Sequence, residues 1–223
     1  MTVVKIHGRQ EQDQRAVTPW SAWFFFGWPG PADLKFWLTG IAFLALYLAF
    51  NQLTQLHELD GLGITLWSPD NGLSLALLIE GAMFAPFVFL GAVLIDTFSA
   101  GIRHSIYVTV AAEIVLTVCY VGLAAVLRHI LKFNLRKVRL ADVVVLLIFL
   151  PAGAAMTSLS YCGVLYLGGA LPADKFFAAM RHFWIGDAVG MITIVPLVTS
   201  VLALWSTPTW HRSGYTLISC FVM

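Results

Sequence analysis

The sequence predicts an all-α integral membrane protein, built as a polytopic helical bundle. Of its 223 residues, 59% are apolar and only 11% are charged, whereas a soluble domain of this size carries about a quarter charged residues. Several apolar runs reach the roughly 20 residues that a helix needs to cross a hydrocarbon core about 30 Å thick. This composition excludes a soluble globule, a disordered chain and a disulfide scaffold. A net charge of +1 gives no reason to expect nucleic acid as a partner.

Six apolar windows have the length of a full membrane span, and a seventh run is shorter. The windows cover residues 34–56, 66–83, 85–101, 105–127, 143–167 and 183–205. The seventh run begins near residue 214 and reaches only residue 223, too short to cross a bilayer. We therefore expect six full spans plus the start of a seventh. Residues 1–33 are expected to form a cytoplasmic and interfacial segment, and residues 34–223 a bundle truncated at its C-terminal end.

A tight hairpin is predicted between the second and third windows, because Glu80, Gly81 and Pro86 interrupt the apolar run. The alternative is one long, kinked helix. The positions of the basic residues favour the hairpin. With a cytoplasmic N-terminus and four crossings before Arg128, ten Lys and Arg lie inside and three outside. A single long helix would give three crossings and lose this bias. The basic loop over residues 128–139 is then expected to face the anionic lipid of the inner leaflet, so the bilayer itself is the first partner.

Four acids within the apolar windows are the most informative polar residues. A charge at mid-membrane costs at least about 2.5 kcal/mol, so each needs a partner, a polar cavity or a nearby interface. The predicted topology places Asp70, Asp96, Glu113 and Asp187 in the outer half of the bundle, with Asp187 at the beginning of the sixth span. We expect the four carboxylates to converge in a solvated pocket that faces the outer side.

Two of these acids belong to similar local motifs. Trp67-Ser68-Pro69-Asp70-Asn71-Gly72 and Trp184-Ile185-Gly186-Asp187-Ala188-Val189-Gly190 each place a tryptophan three residues before an aspartate and a glycine shortly after it. One interpretation is structural, since Asp favours the first turn of a helix and Trp the membrane interface. The other is a site for a ligand or signal, for which the candidate residues are Trp67, Asp70, Asn71, Asp96, Glu113, Trp184 and Asp187.

These motifs resemble the two signatures of the first membrane-associated sensor (MASE-type) domain family. The segment from Leu66 to Leu73, with its following apolar run, is similar to the N-terminal signature, and the segment from Phe183 to Gly190, leading to Pro196, is similar to the C-terminal one. The resemblance implies a bacterial inner-membrane sensory domain of about eight helices in the parent protein. It also implies a cytoplasmic output module in that protein, such as a histidine kinase, a diguanylate cyclase or a phosphodiesterase.

The favoured function is therefore signal input, with no catalysis in this chain and no cofactor. We find no phosphoacceptor-histidine helix, ATP-binding glycine loop or cyclase motif in the sequence. A transporter or channel fragment is the first alternative, although no acid is expected at mid-depth in the sixth span. A metal or haem site is the second, with His57, His104 and His182 on the same predicted side. A third alternative is sensing through a partner, either a neighbouring membrane transporter or a second copy of the chain.

Overall fold

The computed structural model describes residues 34–55, 67–98, 105–131 and 140–206. Within these ranges the chain forms six α-helices and no β-strand, as predicted. They are α1 (Leu34–Gln55), α2 (Pro69–Glu80), α3 (Ala85–Phe98), α4 (Ile106–Ala125), α5 (Leu140–Leu167) and α6 (Phe176–Ser206). Single 3-10 turns, Ala82–Phe84 and Ala173–Lys175, precede α3 and α6, and a π-helical turn, Val126–Ile130, follows α4.

The prediction of six full spans is not confirmed. In the part of the chain that the structure describes, three segments are long and apolar enough to cross a membrane: Leu34–Thr54, Ile106–Ile130 and Val143–Leu167. Helices α2 and α3 contain 12 and 14 residues and rise about 18 and 21 Å, less than the hydrocarbon thickness. The second apolar window covers residues 66–83, but its helix extends only from Pro69 to Glu80 and is too short for a full span. The expected N-terminal segment and seventh run lie outside the described residues.

The hairpin between α2 and α3 is confirmed. Gly81 is extended, with φ −170° and ψ 129°, and ends α2. The contacts with α1 fix the directions: α2 begins beside the end of α1 and runs back to its start, and α3 then returns. Asn51, near the end of α1, contacts Asp70 at the start of α2, and Phe36, near the start of α1, contacts Phe84 in the turn after α2. Helix α3 then contacts α1 in the opposite order, through Phe87 with Phe36 and Gly91 with Tyr47.

Helix α2 occupies the centre of the bundle. Nine of its twelve residues are buried, and it packs against α1, α4 and α6, while α5 packs against α4 and α6. At its C-terminal end, Arg128 donates hydrogen bonds to the carbonyl oxygens of Ile79 and Glu80, the latter at 2.9 Å. These carbonyls have no partner within the helix, so the guanidinium satisfies them and complements the negative end of the helix dipole.

Candidate functional site

Helices α2 and α6 meet where the two tryptophan–aspartate motifs cross. The backbone N–H of Ser68 donates a 3.1 Å hydrogen bond to the carbonyl oxygen of Gly186. A Cβ atom on Gly72 would collide with the carbonyl group of Gly190, and a Cβ atom on Gly190 would collide with the carbonyl group of Ser68. The two backbones are therefore in direct contact, which requires glycine at both positions. We call this contact the motif crossing.

The two tryptophans form hydrogen bonds that link the motifs to neighbouring helices. The indole N–H of Trp184 donates a 2.8 Å hydrogen bond to the carbonyl oxygen of Pro151 in α5, and that of Trp67 lies 3.4 Å from the hydroxyl oxygen of Thr193 in α6. Both side chains are partly exposed, at 44% for Trp67 and 39% for Trp184. The two indole N–H groups therefore connect the motifs to α5 and α6.

The motif crossing brings Asp70 and Asp187 together inside the bundle. Asp187 is completely buried, and its Oδ1 accepts a 2.9 Å hydrogen bond from the hydroxyl group of Tyr120 in α4. The side chain of Asn71 lies within hydrogen-bonding reach of Asp187, and that of Asn51 in α1 lies within reach of Asp70. We call these two acids the Asp70–Asp187 pair. Four helices thus supply one polar cluster around it.

A second pair of acids lies next to the first. The carboxyl group of Glu113 in α4 is buried and within hydrogen-bonding reach of the carboxyl group of Asp96, near the end of α3. The hydroxyl group of Tyr161 in α5 lies 3.4 Å from Oδ2 of Asp96. Asp70 is also close enough to act electrostatically on Glu113. The four acids predicted from the sequence therefore converge, as two adjacent pairs, each beside a tyrosine.

The convergence is buried rather than open to solvent. Asp187 is 0% exposed, Glu113 2% and Asp70 8%. Within the part of the chain that the structure describes, one oxygen of each finds no hydrogen-bond partner: Oδ1 of Asp70, Oε2 of Glu113 and Oδ2 of Asp187. Unpaired buried carboxylate oxygens are costly, and they concentrate at functional sites. Asp96, the fourth acid, is half-buried. Around the other three, the expected solvated pocket is instead a buried polar cluster with unused acceptor capacity.

The structure places Asp70 in its helix as expected, but it places Asp187 differently. Asp70 lies in the first turn of α2, directly after Pro69, as predicted. Helix α6, however, begins at Phe176, eleven residues before Asp187. A role as an N-terminal cap is therefore excluded for Asp187. Contrary to expectation, the helix does not begin near Asp187 but continues back through His182 and Arg181 to Phe176.

Sequence reasoning missed the polar partners of the acids. On hydropathy alone, Tyr120 and Tyr161 are read as interfacial aromatics or core residues, and Asn51 stands near the end of an apolar run. One signal was present: Tyr120 lies fourteen residues into α4, far from either interface. A tyrosine at that depth needs a hydrogen-bond acceptor for its hydroxyl group, and a nearby acid is the natural candidate.

The histidines do not form a metal centre in the described part of the chain. There, no group of three or more His, Cys, Asp or Glu side chains is arranged to hold a metal ion. His182 lies half-buried on α6, whereas His57 and His104 lie outside the described residues. Among the described residues, the groups hydrogen-bonded to the four acids are phenol, amide and carboxyl groups, not the imidazole and thiolate ligands typical of zinc and haem iron.

The fold and the buried cluster define a helical membrane domain whose polar interior connects several helices. Comparison with protein families gives a match to the MASE1 family model over residues 36–222. The chain therefore belongs to the MASE1 family, a family of membrane-associated sensory domains, as the sequence motifs indicated. Such a domain senses and does not catalyse. Comparisons with curated proteins and with solved structures return no match.

Proposed function

We propose that this chain is the signal-input domain of a bacterial inner-membrane signalling protein, and that it receives its stimulus at the four-acid cluster. The observation that carries the proposal is the motif crossing. The two signature motifs meet through backbone contacts at Ser68, Gly186 and Gly190, and both signature aspartates lie at that junction. A change in the interactions of Asp70 or Asp187 therefore changes how α2 packs against α6.

Helix α6 is the element best suited to carry the change onward. It has 31 residues and rises about 46 Å, so it extends beyond the hydrocarbon core at one or both ends. The output module, which we propose to be a histidine kinase or a diguanylate cyclase, would respond to a displacement of this helix. A coupling free energy of about 1–3 kcal/mol is sufficient for such a response.

The orientation we propose has the N-terminus in the cytoplasm and the acid cluster in the outer half of the membrane. Arg128 and His129, at the end of α4, then lie on the cytoplasmic side, and Lys175 lies on the outer side. This arrangement follows the charge bias of inner-membrane proteins. Partners that fit it are the bilayer, a neighbouring transporter and a second copy of the chain.

A direct test measures output from the intact signalling protein that carries this domain. Asp187→Asn and Asp70→Asn each remove one negative charge with little change in volume, and we expect at least a tenfold loss of stimulated output, about 1.4 kcal/mol of coupling. Asp174→Asn, at an exposed acid in the turn before α6, is the matched control. Membrane fractionation verifies insertion. Normal output from both cluster variants would reduce these acids to structural residues.

Transport is the second candidate function. A short helix that begins inside the bundle, beside carboxylates, is also found in transporters, where broken helices line the substrate site. Helix α2 begins next to residues that lie eleven positions into α6, and it carries Asp70 in its first turn. Uptake of a labelled solute into proteoliposomes, lost in Asp187→Asn, would favour this function over signal input.

A further inference from the structure

Among the residues that the structure describes, no Lys, Arg or His side chain supplies a counter-charge to the Asp70–Asp187 pair. The charged group that acts on Asp187 is another acid, Asp70, and a buried carboxylate without compensation costs several kcal/mol. The neutral donors are insufficient, because Tyr120 and the amides of Asn51 and Asn71 leave Oδ1 of Asp70 and Oδ2 of Asp187 without a partner. Two oxygens without a described partner, on adjacent acids that are each more than nine-tenths buried, are a costly arrangement that a bound cation would relieve.

We propose that the Asp70–Asp187 pair binds one small monovalent cation, with Na⁺ as the reference ion. The groups available are carboxylate, amide and phenol oxygens, and such oxygens favour hard cations over zinc or copper. A single ion between the two acids would satisfy an orphan oxygen on each. A proton would bind only one of these oxygens.

The packing around the pair limits the size of the ligand. Gly72 and Gly190 hold the backbones of α2 and α6 in direct contact, and the side chain of Asp187 has no exposed surface. An organic ammonium ion has no room there unless the helices separate. A monatomic ion can be accommodated by small side-chain adjustments.

The number of acids favours a single positive charge. Ca²⁺ takes six to eight oxygen ligands and is bound most tightly by several carboxylates, whereas no group of three or more acids or other metal-binding side chains converges on a metal position within the described residues. The Born cost of burying an ion also rises with the square of its charge. With one of the two acids protonated, a monovalent ion leaves the pair without net charge and carries the smaller Born cost.

Cation binding would regulate the proposed function at the same site. An ion held by Asp70 and Asp187 joins the first turn of α2 to the middle of α6, so its occupancy sets the relative positions of these helices. This regulatory role rests on the proposed function as a signal-input domain, whereas ion binding itself does not. The two can therefore be measured separately.

The experiment is equilibrium binding of radioactive Na⁺ to the protein in lipid nanodiscs, combined with thermal unfolding in sodium or choline chloride at equal pH and ionic strength. We expect one saturable site per chain and a rise in unfolding temperature of about 3 °C or more at saturating Na⁺. Asp187→Asn and Asp70→Asn should each weaken binding at least tenfold. Asp174→Asn, at an exposed acid, should leave it unchanged.

Several results would overturn the cation site. They are identical unfolding curves in sodium and choline, stabilisation by Ca²⁺ or Mg²⁺ but not by Na⁺, stabilisation that follows only pH, and undiminished Na⁺ binding in both aspartate variants. The wild-type comparison needs no variant, so it remains decisive even if a variant does not fold.

The two proposals can fail separately. Loss of signalling in Asp187→Asn, with no Na⁺ binding to the wild type, would overturn the cation site alone. Na⁺ binding with normal signalling in both variants would overturn the proposed function alone.

Discussion

Tyr120 and Asp187 are joined by a 2.9 Å hydrogen bond in the interior of the bundle, and both side chains are almost completely excluded from the surface. This bond connects the middle of α4 to the middle of α6. The tyrosine hydroxyl uses one oxygen of the acid and leaves the other without a partner. The same residue therefore holds two helices together and, among the described residues, keeps one carboxyl oxygen without a hydrogen-bond partner.

The contribution of this bond can be measured with Tyr120→Phe. The ring remains in place, but Asp187 loses its donor, so we expect the free energy of unfolding to fall by about 1–3 kcal/mol. Tyr107→Phe is the matched control, because Tyr107 is 83% exposed. Unfolding in mixed detergent micelles, followed by circular dichroism, provides the measurement. Equal stabilities for the two variants would show that the bond contributes nothing.

The motif crossing predicts a strong effect of Gly190→Ala. The added methyl group would meet the backbone of Ser68, which cannot rotate away as a flexible side chain can. We expect a loss of stability of about 3 kcal/mol, or a visible separation of α2 from α6. Gly122→Ala in α4 serves as the control, since nothing lies within 4 Å of the added atom. Thermal unfolding in nanodiscs compares them, and a tolerated Gly190→Ala would contradict the close contact.

Arg128 is expected to stabilise the C-terminal end of α2. In Arg128→Gln, the carbonyl oxygens of Ile79 and Glu80 lose a charged donor, and stability should fall by about 1.5–3 kcal/mol. Arg181→Gln changes an exposed arginine on α6 and should have little effect. Protection of α2 amides in hydrogen–deuterium exchange reports the change locally. Unchanged protection near Ile79 would mean that water replaces the guanidinium.

The proposed orientation predicts which loops a membrane-impermeant thiol reagent can reach. After replacement of the native cysteines by serine, a cysteine at Asp174, in the exposed turn before α6, should react in intact spheroplasts. A cysteine at Ile130, at the exposed end of the π turn after α4, should react only after the membrane is opened. The reverse pattern would invert the topology.

The sequence predicted which segments come together better than it predicted where helices begin. The hairpin at Gly81 followed from interrupting residues whose effect is local. The meeting of the two motifs followed from the cost of placing acids in a membrane, since Asp70 and Asp187 must find polar surroundings wherever their helices lie.

Helix boundaries depended on contacts that hydropathy does not contain. Helix α2 begins at Pro69 because Ser68 is bound to Gly186, a residue of α6. Helix α6 continues back to Phe176 because Arg181 is exposed and causes no penalty there. The tyrosine partners could not be predicted either, because the choice between a core ring and a hydrogen-bond donor depends on tertiary neighbours.

Helix α2 is held at both extremities, by Ser68 on Gly186 at one and by Arg128 on its final carbonyls at the other. A short rod fixed in this way cannot slide or tilt without disturbing both attachments. If the domain signals as proposed, a displacement of α2 beside Asp70 would therefore also disturb the hydrogen bonds of Arg128 at the opposite end of the helix.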